Sequence, residues 1–326
     1  MAVLNDVLVV NAGSTSLKLS IVGADEESHP VDSLESAPDV RAVGHRIVHG
    51  GERFAEPTLV DEDVLSELEG LVELAPLHNA PALAAIAAAR LALPNATHVA
   101  VFDTAFHRTL PAVARTYLLP ERYRARGIHR FGFHGLSVAW AASQVAVPRL
   151  VVCHLGGGAS VTAVRDGASV DTTMGFTPLE GVPMATRAGP LDPGALLFLL
   201  RHGVSLEELD RALEHESGMT ALAGTGDVAE LERAGTPEAG SLSTSTATGS
   251  RRLSPRWRSR SAASTRSSSR PASESIRPAY GPTSAGGWDC SGSSSTRRRT
   301  RRRPGMPTSR RRRRVSRYVS SPRGRT

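Results

Sequence analysis

Two arginines stand where a charge is hard to accommodate. Arg46 lies in "GHRIVHGG", a stretch otherwise written for burial, and Arg187 lies in the Gly/Pro-rich loop "PMATRAGP". Guanidinium groups grip planar oxyanions in a bidentate fork, so two such arginines suit a carboxylate or phosphate ligand. For Arg46 alone, an edge-strand side chain reaching solvent explains the sequence about as well. Asp103 ends the apolar run "VAVF". A carboxylate is costly there unless it has a counter-charge, a metal, or a following turn to cap. His134 in "FGFHGLS" and His154 in "VVCHLGGG" both adjoin glycines, and His78 in "APLHNAP" follows the same logic more weakly. One histidine in such a place is usually structural; two beside glycine-rich loops shift the balance towards chemistry.

Two loops of small residues accompany these groups. The first, "NAGSTSLK", holds Asn11, Ser14, Ser16 and Lys18; the second, "LGGGAS", holds Gly156, Gly157 and Gly158. Loops of this kind expose backbone N–H groups and form anion-binding nests. Lys18 reads equally as a phosphate contact and as the outward residue of a strand. The chain has no Walker A motif, no Gly-x-Gly-x-x-Gly and no zinc spacing of Cys and His. Any metal is therefore expected to be a hard ion such as Mg2+ or Mn2+, held largely by phosphates.

The elements that would position these groups repeat one device. Residues 7–22 read as two β-branched-rich strands around the first loop, and residues 151–164 read the same way around the second. Asp166 and Gly167 supply a hairpin turn. "VRAVGHRIVHGG" is a strand ending in glycines, and "THVAVFDTAFH" is a buried strand delivering Asp103. Apolar spacing predicts helices over 61–74, 81–93 with Pro81 at its start, 136–145, 193–202 and 205–216, the last opened by a capping box of Ser205 and Glu208. A short acidic connection joins the first hairpin to the strand bearing Arg46. Strand-loop-strand units used twice imply two α/β domains facing each other across a cleft.

Composition divides the chain differently. Residues 241–326 carry 22 arginines against two acids, a net charge of +20, whereas the preceding 240 residues carry 17 basic and 30 acidic side chains, a net of −13. Two cysteines, Cys153 and Cys290, give no disulfide framework. Neither a basic, apolar leader nor a membrane-length apolar run is present, which favours a cytoplasmic body.

In this order, "NAGSTSLK", "GHRIVHGG", "FDTAFH", "FGFHGLS", "CHLGGGAS", "TMGFTPLEG" and "TRAGPLDPG" resemble the signature blocks of the acetate kinases. These belong to the acetate and sugar kinase/Hsp70/actin superfamily of duplicated ribonuclease-H-like domains. The resemblance covers about residues 7–233. It implies an α/β fold with an acetate-binding domain over 1–148 and a partial nucleotide-binding domain over 149–240. It also implies reversible phosphoryl transfer from ATP to acetate with Mg2+, in a homodimer. By the same resemblance Asn11 helps hold the metal, and Ser14, Ser16, Lys18, His154 and Gly156–Gly158 face phosphates. Arg46 and Arg187 clamp acetate and the phosphoryl group, Asp103 orients metal and substrate, and His134 bonds the phosphoryl oxygens. Val48, Leu77, Phe133 and Pro178 form a methyl pocket, whose size separates acetate from propionate or butyrate. Gly157 replaces the asparagine usual in the family, and the connection over 21–41 is short for it.

After Gly240 the resemblance stops and Ser, Arg, Thr, Pro and Gly take over. One lysine against 38 arginines indicates GC-rich coding. A family-like peptide Leu-Asp-Val-Tyr-Cys-His-Arg-Leu, coded with GC-rich codons and read one base out of frame, yields Ser-Thr-Ser-Thr-Ala-Thr-Gly-Ser, the residues at 243–250. Val-Val-Phe-Thr-Ala-Gly-Val-Gly, the strand and glycine loop expected to grip a nucleotide, yields in the same way Ser-Ser-Ser-Arg-Pro-Ala-Ser-Glu, found at 267–274. Residues 241–326 are therefore read as a disordered, out-of-frame tail that begins between about 238 and 242. The rival reading is a basic tail that binds polyanions through phosphate contacts.

Overall fold

A computed structural model describes residues 6–13, 17–24, 27–145, 147–227, 230, 231, 233 and 318–320. Two sheets organise these residues. The first has the strand order β3-β2-β1-β4-β6-β5, formed by β1 (Val7–Ala12), β2 (Leu17–Val22), β3 (Ser28–Val31), β4 (Ala42–Ile47), β5 (Thr58–Leu59) and β6 (Thr97–Phe102). β1, β4 and β6 run parallel, while β2 is antiparallel to β1 and β3 to β2. The second has the order β10-β7-β8-β9, from β7 (Arg149–Leu155), β8 (Ala159–Arg165), β9 (Ala168–Thr172) and β10 (Tyr318–Ser320). Here β10 lies parallel to β7 just as β4 lies parallel to β1. The duplication expected from the two strand-loop-strand units is thus a duplication of sheet topology.

Strict alternation builds the first sheet. Leu8, Val10 and Ala12 of β1, Val43, His45 and Ile47 of β4, and His98, Ala100 and Phe102 of β6 all turn inward. With a side-chain period of two, the residues between them share the opposite face. Val64 and Leu68 of α1 (Glu62–Glu69) join the same core, as do Ala82, Ala85, Ile86 and Ala89 of α2 (Pro76–Ala92). Further helices are α3 (Ala112–Arg115), α4 (Glu121–Arg124), α5 (Gly135–Gln144), α6 (Pro193–Arg201), α7 (Leu206–Arg211) and α8 (Gly218–Ala223).

Several sequence expectations change at their edges. The helix expected to begin at Pro81 begins at Pro76, with Pro81 inside it. At the sixth position Pro81 lies beyond the first turn, so it removes one bond that an N–H there would make to the Leu77 carbonyl. The helix over 61–74 stops at Glu69, and a separate 3-10 turn spans Val72–Leu74. The acidic connection after β2 contains β3. The helix after Ser205 holds its cap, Ser205 Oγ accepting from the Glu208 N–H at 3.1 Å. It then widens into a π turn over Ala212–Glu216. The disordered-tail reading is corrected at Tyr318–Ser320, which form β10 parallel to β7, and otherwise lies outside the described residues.

Candidate active site

The carboxyl ends of β1, β4 and β6 place three polar side chains together. In the parallel register Val10 faces His45 and Arg46 faces Val101, so Asn11, Arg46 and Asp103 follow one another on one face. Open α/β sheets place ligands at this end of their strands. Arg46 sits in a central strand, so the solvent-reaching edge arginine does not apply. Its Nε donates to Asp103 Oδ1 and Oδ2 at 3.3 and 3.2 Å, its Nη2 to Oδ2 at 2.5 Å, and its Nη1 to Asn11 Oδ1 at 3.0 Å. The Asp103 side chain is 3% exposed against 27% for Arg46. The carboxylate beside it holds the Arg46 guanidinium above its ordinary pKa. These bonds leave one N–H on each Nη of Arg46, a second fork for a ligand oxyanion. Asp103 does not cap the turn that follows; the N-terminal position of that turn belongs to Thr104.

Asp103 is tied to the next element through its backbone. Its carbonyl accepts from Gly135 N–H at 2.8 Å, and a Cβ on Gly135 would stand 2.2 Å from that oxygen. The preceding residue, His134, takes a left-handed conformation (φ 60°, ψ 21°). Non-glycine residues rarely occupy that region, and such strain gathers at functional sites. The His134 ring stacks on His154 with centroids 3.9 Å apart. His134 Nδ1 lies 3.0 Å from Ser160 Oγ, and His154 Nδ1 lies 3.0 Å from Ser137 Oγ. Burial, reinforced by His154 and by Arg46, holds His134 well below its ordinary pKa. Burial likewise lowers His154. Burial, then the charges of Arg187 and Arg46, push His78 down to about 4.

Gly156, Gly157 and Gly158 form the turn between β7 and β8. A Cβ on Gly158 would lie 3.3 Å from His134 Nε2 and 3.9 Å from Arg187 Nη1, so the space beside this glycine is bounded by both groups. Nothing lies within 4 Å of a Cβ placed on Gly157. The loop carrying Arg187 is pinned to this turn, Ala185 N–H donating to the Gly157 carbonyl at 3.2 Å. Arg187 Nε donates to Glu214 Oε2 at 2.9 Å, both side chains being 12–13% exposed.

The remaining candidates are less closely drawn in. Lys18 pairs with Asn11 across β1 and β2 and so shares its face, with an exposed side chain. Ser14 and Ser16 lie outside the described residues. Val48 and Phe133 are 4% and 1% exposed within one apolar cluster with Met174, Val182 and Met184. Pro178 is buried and Leu77 half-buried. Among the described residues no three His, Cys, Asp or Glu side chains converge on a metal position. A cavity of about 420 Å³ opens along Gly50–Phe54, Leu71, Leu74, Phe131 and Phe176, and none of the candidate residues lines it. Sequence reasoning missed Ser137, Ser160 and Glu214. Ser160 carried a signal, since it faces His154 in the register of the second hairpin. Glu214 carried none, being one acid among several in "LEELDRALEHE".

Arg46, Asp103, His134, His154 and Arg187 all fall within residues 26–249, the range that matches the family model described as the acetokinase family. The chain belongs to the acetokinase family. The range begins after Asn11 and Lys18 and ends inside the stretch where composition changes. The chain is 50% identical over 212 residues to the acetate kinase of Clavibacter michiganensis subsp. michiganensis, covering 62% of this chain and 53% of that one. It is 50% identical over 215 residues to the acetate kinase of Deinococcus radiodurans, covering 63% and 54%. It thus spans about half the length of these relatives. Solved structures agree. A propionate kinase from Francisella tularensis matches with TM-score 0.71 at 29% identity, covering 78% of this chain and 80% of that one. The acetate kinase of Porphyromonas gingivalis matches with TM-score 0.68 at 27% identity, covering 80% and 81%. The sheets described above therefore have the acetokinase architecture. Among the described residues no helix is long and apolar enough to cross a membrane.

Proposed function

We propose that the described residues are the carboxylate- and phosphoryl-binding part of an acetate kinase, whose reaction is reversible phosphoryl transfer between ATP and acetate. The observation that carries this reading is the pairing of two cationic groups of unlike kind. Arg46 is fixed by Asp103 and Asn11 with a free fork, and Arg187 meets His134 beside a glycine without a Cβ. In the reaction an acetate oxygen attacks the γ-phosphorus in line; an O–P bond forms as the bond to the ADP oxygen breaks. Such transfers run on positioning and charge stabilisation, and one arginine aimed at the phosphoryl group is worth ~10^3–10^5 in rate.

The chain's own groups divide that work. The Arg46 fork holds the acetate carboxylate, with Val48 and Phe133 on the methyl side, joined by Leu77 and Pro178. A pocket of this kind separates acetate from propionate by only ~1–3 kcal/mol. His134 acts as a neutral donor in the tautomer protonated at Nε2, where Nδ1 accepts from Ser160 Oγ–H and Nε2 faces the space beside Gly158. Arg187 offers its Nη groups to the same space, and Lys18, His154 and Gly156–Gly158 flank the phosphates. Asn11 and Asp103 supply hard oxygen donors at adjacent strand ends. This set fits a Mg2+ or Mn2+ ion that takes most of its ligands from phosphate. Such an ion, when bound, neutralises charge on the transferring group. The complete enzyme would be a cytoplasmic homodimer, and the basic tail would bind polyanions through charge alone.

As it stands the chain transfers little or no phosphoryl, because residues 241–326 replace the family's nucleotide-gripping strand and loop. Acetate binding tests the reading separately from turnover. Titrating 13C-acetate into the purified chain should show saturable binding. Arg46→Lys should weaken it at least tenfold, because an ammonium lacks the fork. Equal binding by Arg46→Lys would refute the assignment.

A further inference from the structure

Arg46 and Arg187 are held in opposite ways. Arg46 commits Nε and both Nη groups to Asp103 and Asn11. Arg187 commits only Nε, to Glu214, and its terminal nitrogens make no other hydrogen bond or ion pair among the described residues. A guanidinium gripped at Nε alone is fixed in plane and direction while both Nη groups stay free. Arg187 Nη1 lies 3.9 Å from the point a Cβ on Gly158 would occupy, and His134 Nε2 lies 3.3 Å from the same point.

Glu214 is itself held with care. It lies in the π turn over Ala212–Glu216, and single π turns inside helices recur at functional sites. Thr186, next to Arg187, donates from Oγ1 to the Glu214 carbonyl at 2.7 Å, and Ser217 N–H donates to the Thr186 carbonyl at 3.1 Å. Gly218, at φ 68°, lets the turn close on the arginine loop; a Cβ there would stand 2.3 Å from the Met184 carbonyl oxygen and 2.7 Å from the Arg187 nitrogen. Loop and turn are therefore tied through Thr186, by its hydroxyl and by its carbonyl, next to the Arg187–Glu214 pair. An α-helical continuation of α7 through residue 216 would present this position differently. Within this turn one residue uses its carbonyl for Thr186 and its carboxylate for Arg187.

We propose that Glu214 is a positioning residue for phosphoryl recognition: its carboxylate holds Arg187 by Nε and so aims its Nη1 end at the phosphoryl oxygens beside Gly158. This rests on the acetate kinase reading of the same site. Glu214 touches neither acetate nor phosphate, and it acts through Arg187 alone.

The test uses the full chain and acetyl phosphate as the probe, with binding followed by 31P NMR or calorimetry and acetate binding measured alongside. Glu214→Ala should weaken acetyl phosphate at least tenfold and leave acetate within twofold, and Glu214→Gln, which keeps an acceptor for Nε, should recover most of the loss. In an Arg187→Ala background Glu214→Ala should have no further effect on acetyl phosphate. A merely structural residue would lower both affinities in parallel and would still matter once Arg187 is gone. Either of those results, or unchanged acetyl phosphate binding by Glu214→Ala, would overturn the proposal. If the unsubstituted chain binds acetate but not acetyl phosphate, the phosphoryl site and this proposal fall together while the carboxylate site stands. If it binds neither, the acetate kinase reading itself fails.

Discussion

The two sheets share one topology and differ in what covers them. β3-β2-β1-β4 is continued by β6 and β5 and lies against α1 and α2, around a core running from Leu8 to Phe102. β9-β8-β7-β10 has a fourth strand of only three residues and a smaller core of Val138, Ala141, Leu150, Val152 and Val164 on the α5 side. α6 shows the difference most plainly: Leu197, Phe198, Leu199 and Leu200 are 39–57% exposed, four consecutive apolar residues around more than a full turn. A helix apolar all round belongs inside a protein. The Arg46–Asp103–Asn11 network thus rests on a finished core, and Arg187 rests beside one whose helix lacks cover among the described residues. The polar network follows the same division, with Arg46 fixed by three donor nitrogens and Arg187 by one.

The largest effect that would break this contrast lies in the finished half. Arg46→Ala leaves the Asp103 carboxylate buried without its counter-charge, which typically costs ~3–5 kcal/mol. Chemical denaturation should show that loss, together with loss of acetate binding. A change near zero would mean that the pair is not buried as described. Gly135→Ala comes next. Its methyl group would collide with the Asp103 carbonyl and break the bond from Gly135 N–H, so a loss of ~2–3 kcal/mol and weaker acetate binding are expected.

Acidification acts through histidines kept neutral by burial. Burial, with His98 adding to it, pushes His45 down to about 3, and burial pushes His49 and His107 to about 4. For a histidine whose folded pKa is depressed, the unfolded chain binds the extra proton. Stability is therefore retained above the unfolded value near 6.5 and falls as pH drops from there towards 4. Each such residue contributes a slope of up to ~1.4 kcal/mol per pH unit within that window. Urea midpoints measured at pH 7, 6 and 5 should fall in that order. A flat profile would show that these rings are accessible to protons in the folded chain. The smallest effect belongs to α6. Phe198→Glu and Leu200→Glu should change stability by less than ~0.5 kcal/mol while reducing self-association in sedimentation. A loss of ~2 kcal/mol would mean that α6 is covered after all.

Much of the carboxylate half was legible in the residue pattern. Residue type and setting singled out Asn11, Arg46 and Asp103 one by one, and the parallel register of β1, β4 and β6 then put them on a shared face. The glycine turn and both histidines were readable because glycine beside a polar residue marks close backbone approach. What stayed hidden depended on contacts between distant segments. Pro81 looked like a helix start because local propensity cannot see that Pro76 already begins α2. β3 was lost inside an acidic connection, since a four-residue edge strand with exposed His29 and Pro30 has no apolar alternation. Glu214 became visible only once the π turn had brought it to Arg187.

Under the proposed acetate kinase reading, residues 241–326 stand in place of the nucleotide-gripping segment. Acetyl phosphate formation from ATP and acetate should be measured for the 326-residue chain and for a chain whose gene carries a one-base restoration between codons 238 and 242. Almost no turnover is expected from the first and sustained turnover from the second. Normal turnover by the chain as it stands, or no acetate-kinase-like reading frame on restoration, would contradict that reading.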